Sequence, residues 1–289
     1  MVSIDFERAR TFIYSSGRLL ERRLFAALFE QGPREAVHTA LRAYQNEDGG
    51  FGNALEGDLR TPASQPLAVE RAWVMLDLID GFDDPMVGRA CDWLETVTTP
   101  EGGVPFALTT LEGYPHTPWM QGDDHTAGLN PTAGLCGLLF KHSVRHAWVD
   151  RAADYCWRTI PGFESDFYHD LMPVIDFLEH TPERRDQAQA ELERLRAHVA
   201  RPGVVALDPQ AQGYVKYPLD WAPRPDSFLH SLFDEHTLAV HLDALAARQQ
   251  PDGGWPINWE ALSPAAEAEW RGWVTIDALC KLRAYGRLG

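Results

Sequence analysis

Three clusters of titratable residues in this chain have the makings of proton-transfer sites. The first is Glu56, Asp58 and Arg60 in NALEGDLRTP. Two carboxyls flanking a glycine supply a general acid and its partner, with the guanidinium holding one of them ionised. The same residues also suit a helix N-terminus as caps. The second cluster is Asp123, Asp124 and His125 in QGDDHTAGLNPTA. It offers an acid/base pair or carboxylate and imidazole ligands for a divalent cation. Adjacent residues rarely chelate one ion together, so at least one of the three is expected to cap or be solvated. The third is Asp166, Tyr168, His169 and Asp170 in FESDFYHDL, where His169 would exchange protons near neutral pH and an aspartate would orient it. Asp58 or Asp124 is the expected acid, with Glu56, His169 and Asp170 as further catalytic candidates. Arg60, Asp123 and His125 are expected to contact substrate.

Aromatic residues gather on the same stretches: Phe106, Tyr114, Trp119, Phe163, Tyr214, Tyr217, Trp221, Trp255 and Trp259. Ring faces stabilise a developing cation through their quadrupole or stack on a sugar. Trp119, Tyr214, Trp221 and Trp259 are expected to line a substrate site, whereas Trp255 follows a Gly-Gly pair and reads as a packing residue. Lys216, Arg224 and His230 are cationic or titratable groups further along. No metal or nucleotide motif occurs, and the cofactor is left unspecified.

These residues need elements to hold them, and the apolar pattern supplies helices. Val37, Ala40, Leu41 and Tyr44 form an i, i+3, i+4, i+7 stripe, and Val87, Ala90, Cys91 and Leu94 repeat it. Stripes at Trp148, Ala152, Tyr155, Cys156, then Ala188, Leu192, Leu195, Val199, and Leu238, Leu242, Leu245 follow. Between them lie segments apolar nearly all round, over 67–79, 133–140 and 167–178, which belong inside. Residues 3–30 split near Ser15–Gly17 into another pair, 227–233 supply a short piece, and 265–285 a last inner helix. Six outer and six inner helices in alternation predict an all-α fold, an (α/α)6 toroid formed by residues 1–289 as one domain. Connections from inner to outer helices are short. Those from outer to inner helices are long, over 46–64, 98–129, 200–225 and 250–264, and long loops in compact folds usually carry function. The candidate residues lie on or next to them.

Three Gly-Gly turns mark the period: QNEDGGF, TTPEGGVPF and QPDGGW. The second lies 53 residues after the first and the third 151 after the second, close to three times 50, which indicates stacked hairpins.

QNEDGGF and QPDGGW resemble the Q-x-x-x-G-x-W repeat of terpenoid cyclases, and the hairpin plan resembles the toroid those enzymes share with protein prenyltransferase β subunits. QNEDGGFGNALEGDLRTPASQP is similar to a segment of bacterial proteins labelled prenyltransferase-like. The resemblance implies the toroid and an apolar, isoprenoid-like substrate handled by acid catalysis. Several family motifs are absent. There is no Asp-x-Asp-Asp; Asp80, Asp83 and Asp84 have another spacing and sit in a short connection. Asp123-Asp124 is followed by His125, Thr126 and Ala127 rather than by an Asp-Asp-x-x-Asp continuation. The zinc-binding Asp-x-Cys of the prenyltransferases is missing, and no catalytic residue carries over by position. A carbohydrate-active lyase or hydrolase is the alternative, because such toroids also hold sugars between aromatic platforms and paired carboxylates. A non-catalytic binding protein is a third reading.

Composition excludes some partners. Lys and Arg number 26 against 42 Asp and Glu, a formal charge of -16, which disfavours nucleic acid or an anionic membrane and leaves a small molecule as the expected partner. Cys91, Cys136, Cys156 and Cys280 lack metal-ligand spacing and sit in apolar helical stretches. The first residues lack a basic-then-apolar signal pattern and no 18-residue apolar run occurs, so a cytoplasmic location is expected and the oligomeric state is left open.

Overall fold

The computed structural model describes residues 4–288, and these form helices and turns with no strand beyond isolated bridges. In chain order the helices are α1 (Phe6–Ser16), α2 (Leu19–Phe29), α3 (Arg34–Arg42), α4 (Pro66–Asp77), α5 (Met86–Thr96) and α6 (Leu129–Lys141). They continue with α7 (Ala147–Thr159), α8 (Tyr168–His180), α9 (Arg185–Val199), α10 (Pro218–Trp221), α11 (Glu235–Ala247) and α12 (Pro264–Ala284). Among the described residues no helix is long and apolar enough to cross a membrane.

From α3 to α9 the predicted alternation of wet and dry helices is present. No residue of α4 or α8 is fully exposed and α6 exposes only Lys141, whereas α3, α5, α7 and α9 each present several exposed polar side chains. The fifth dry element is short, as expected over 227–233: a 3-10 turn over Phe228–Leu232, preceded by the four-residue α10. Pro223 and Pro225 prevent a longer helix, since proline lacks the donor and biases the residue before it away from helix.

The chain resolves into two compact units. One comprises 1–25 and 196–289, the other 26–195. In the first, α1 packs on α12 and the core includes Phe12, Ile13, Leu24, Trp221, Trp255 and Leu279. In the second, α6 packs closely on α8 and also meets α4 and α7, around Phe51, Trp73, Trp148 and Phe177. The α6–α8 approach depends on Gly137, where a Cβ would stand 2.8 Å from the Asp176 carbonyl carbon.

The three Gly-Gly turns share one geometry. Their first glycines, Gly49, Gly102 and Gly253, have φ of 97°, 102° and 96°, a left-handed conformation that favours glycine. In each, the residue three before that glycine accepts from its N–H and donates to the carbonyl of the second glycine: Asn46, Thr99 and Gln250. The next residue, Phe51, Val104 or Trp255, is buried. The repeat glutamine of the third turn is Gln249 rather than Gln250. Gln45 donates to Gly49 O at 2.8 Å, and Gln249 likewise donates to Gly253 O at 3.0 Å.

Candidate functional site

In the unit of residues 26–195, the two predicted long loops meet in front of α4. The Leu108 N–H donates to Gln65 Oε1 at 2.8 Å and Gln65 Nε2 to Thr110 Oγ1 at 2.8 Å. The Thr61 hydroxyl donates to the Thr110 carbonyl at 2.9 Å. Arg60 N–H reaches Pro115 O at 3.0 Å, and Thr117 N–H reaches Asp58 O at 3.0 Å. Leu59, Leu67, Ala107, Leu111 and Met120 bury a small apolar cluster under this seam, with Phe106 packed against it. Trp119 stands at its edge, 62% exposed, with its ring 6.2 Å from that of Phe106.

One helical turn beyond Leu67, on the same face of α4, is Glu70. It is half-buried, yet its carboxyl is held up at about 8, first by burial, then by the negative charges of Glu56 and Asp176, with Arg71 offsetting part of the shift. Glu70 Oε1 lies 3.0 Å from where a Cβ on Gly134 of α6 would be, so the absence of a side chain there makes its space. No protein hydrogen bond to this carboxyl occurs among the described residues. A carboxylic acid that keeps its proton near pH 7 beside two further carboxyls has the electrostatic arrangement of a general acid with its base or stabilising anion.

The predicted residues divide. Glu56 belongs to the Glu70 group, and its Oε1 accepts from the Asp58 N–H at 3.3 Å. Asp58 is buried in the loop seam, and Arg60 is half-buried beside it. Asp124 is held ionised rather than protonated: the Thr109 hydroxyl and N–H both donate to it and hold its carboxyl below the usual range, so that it anchors the second loop as an anion. Asp123 likewise accepts from Thr126 and from the His125 N–H, closing a turn, and His125 is exposed. Asp170 accepts from the Ser165 hydroxyl at 2.8 Å at the start of α8, and His169 packs edge-on to Tyr168 and 5.2 Å from Phe167. Glu70 and Asp176 escaped the sequence reading. The signal was the Glu70-Arg71 pair inside the otherwise apolar 67–79 stretch, and Asp176 in the apolar 167–178 stretch.

In the unit of 1–25 and 196–289, Tyr214 is exposed and meets Trp259 edge-on at 5.9 Å, and Trp259 meets Trp270 edge-on at 5.2 Å. Trp221, expected to line a substrate site, is instead 1% exposed and part of the core. Lys281 is buried between Asp220 at 2.7 Å and Asp277 at 2.8 Å. Burial alone would raise Asp220, but the Lys281 and Lys216 charges bring it below the usual carboxylate range. Lys216 itself is lowered, chiefly by burial, and its ammonium lies 4.9 Å from the Tyr214 ring centre.

No family model matches the chain, and no curated protein matches it. Among solved structures it is similar to one described as a protein from Actinoplanes, with a TM-score of 0.59 and 14% identity over 97% of this chain and 98% of that one. That likeness carries the fold and no activity.

Proposed function

We propose that the protein is an enzyme working by general acid–base catalysis, with Glu70 as the proton donor and Glu56 or Asp176 as the partnering carboxylate. The scaffold is read as an (α/α)6 toroid, on the order and burial of its helices. The observation that carries the reading is the Glu70 carboxyl set against Gly134 of α6 beside the charges of Glu56 and Asp176, where burial and those anions raise it to about 8. Such a donor is matched to a leaving oxygen that becomes basic as its bond breaks, because catalysis is most effective when the acid's pKa lies near the working pH. It is a weak acid for protonating a carbon–carbon double bond. The favoured substrate is therefore a glycoside or a related uncharged, oxygen-bridged small molecule, with Trp119 as a stacking surface and the carboxylates stabilising a cationic transition state. The apolar cluster of Leu59, Leu67, Ala107, Leu111 and Met120 supports a second reading, acid catalysis on an isoprenoid-like substrate.

A panel of 4-nitrophenyl glycosides and unmodified oligosaccharides, alongside polyprenyl diphosphates, separates the two. Glu70→Gln is expected to lower glycoside turnover by about 10²- to 10⁴-fold with the fold intact. Full activity in that variant would sink the assignment of Glu70, and turnover of the polyprenyl substrates alone would select the second reading.

A further inference from the structure

On the short-connection side of the unit 26–195, α3 and the segment joining α4 to α5 bring together Glu35, His38 and Asp84. His38 is 1% exposed, and neither ring nitrogen has a hydrogen-bond partner. A Cβ on Gly81 would stand 2.7 Å from His38 Nε2, so that edge of the ring is packed against backbone and the Nδ1 edge is turned to the carboxylates. Nδ1 lies 3.5 Å from Glu35 Oε2 and 3.4 Å from Asp84 Oδ2, and the three ligand atoms all fall within 4.8 Å of one another. The Asp84 side chain is only 6% exposed, and its Oδ1 is fixed by the Met86 N–H at 3.0 Å.

We propose that Glu35, His38 and Asp84 bind a divalent transition-metal cation, with zinc as the best chemical match. Zinc bonds of about 2.0–2.1 Å to imidazole nitrogen and carboxylate oxygen, set tetrahedrally, separate neighbouring ligand atoms by about 3.3 Å. The two imidazole–carboxylate separations are already near that value. Glu35 is exposed and free to turn the last ångström, leaving a fourth position for water. The Nδ1 edge of His38 faces two carboxylates without a hydrogen bond to either, and a cation placed between them would satisfy all three. Arg42 Nη2 lies 2.5 Å from Asp84 Oδ2 and competes for the same oxygen. Its side chain is half exposed and can swing into solvent, so it acts as a stand-in charge that the metal displaces. Arg34 pairs with Asp83 at 2.6 Å and leaves the three ligands alone.

Chelator-stripped full-length protein titrated with zinc chloride in a calorimeter, and with cobalt chloride in a spectrophotometer, tests this. One zinc per chain is expected, together with the visible d–d bands of a four-coordinate cobalt site lacking sulfur ligands. Glu35→Gln, on an exposed side chain, is expected to weaken binding by more than about tenfold, a loss that even an outer-shell partner's removal brings. Arg42→Ala is expected to tighten it. Zinc is also expected to raise the melting temperature of the parent and not that of Glu35→Gln. Absence of saturable binding would overturn the proposal. Undiminished binding in both Glu35→Gln and Asp84→Asn would overturn it equally.

Discussion

Glu70 ties the proposed chemistry to a measurable cost. Its folded carboxyl is held near 8 against an ordinary value of 4.5. The native state therefore holds a proton that the unfolded state has lost across that interval, and the stability contributed by neutral Glu70 falls as pH rises from about 4.5 through 8. Glu70→Gln is expected to match the parent in denaturant unfolding at pH 4.5 and to exceed it at pH 9, by at most about 5 kcal/mol. Equal stabilities at pH 9 would show that the carboxyl is not strained. Trp119→Ala, at a 62% exposed ring, is expected to change stability by less than about 0.5 kcal/mol while weakening oligosaccharide binding, readable by titration of intrinsic fluorescence. The sequence made Glu56 legible because it stands in a polar loop beside other chemistry-bearing residues. Glu70 was hidden by its surroundings: a charged pair within an apolar run reads as a helix defect until the neighbouring helices show what it faces. Asp124 shows the opposite limit, since its loop position is legible in the sequence but the Thr109 hydroxyl and N–H that hold it as an anion are not.

Helices and turns were far more legible than sites, because their signals are local. The stripes placed α3, α5, α7, α9 and α11, and the apolar runs placed α4, α6 and α8 to within a few residues. The shortness of the fifth dry element, expected over 227–233 and found as a 3-10 turn over Phe228–Leu232, has a local cause as well, the prolines at 223 and 225. The Gly-Gly turns carry a sharp test. At Gly253, φ is 96° and a Cβ would lie 2.1 Å from the Arg8 carbonyl, whereas Gly113, with φ of 83°, has open space around it. Gly113→Ala is expected to cost about 1 kcal/mol, the backbone penalty alone, and Gly253→Ala to cost at least about 1–3 kcal/mol more for the clash. Thermal unfolding of the two variants checks this, and equal losses would mean that the turn does not grip α1. Gly137→Ala is expected to part α6 from α8 at a similar cost, because the obstruction is the backbone of Asp176 rather than a flexible side chain.

At the scale of the molecule, the division into units was not legible, because one hairpin period runs through both and their boundaries fall inside α2 and α9. The Lys281 cluster is the polar anchor of the unit built from both chain ends. Lys281→Met would leave Asp220 and Asp277 without their shared cation and is expected to cost about 3–5 kcal/mol, measured by denaturant unfolding. A loss under 1 kcal/mol would show that water replaces the ammonium. The third Gly-Gly turn belongs to the same unit: Gln249 donates to the Asp5 carbonyl at 2.8 Å and accepts from the Asp5 N–H at 2.9 Å, while Gly253 abuts Arg8. That clasp is a closure across 244 residues of chain. The entropy of so long a loop is lost before the contact returns anything, so the seating of α1, with Ala9, Phe12 and Ile13 on its buried face, is expected to be among the slower steps in folding this unit.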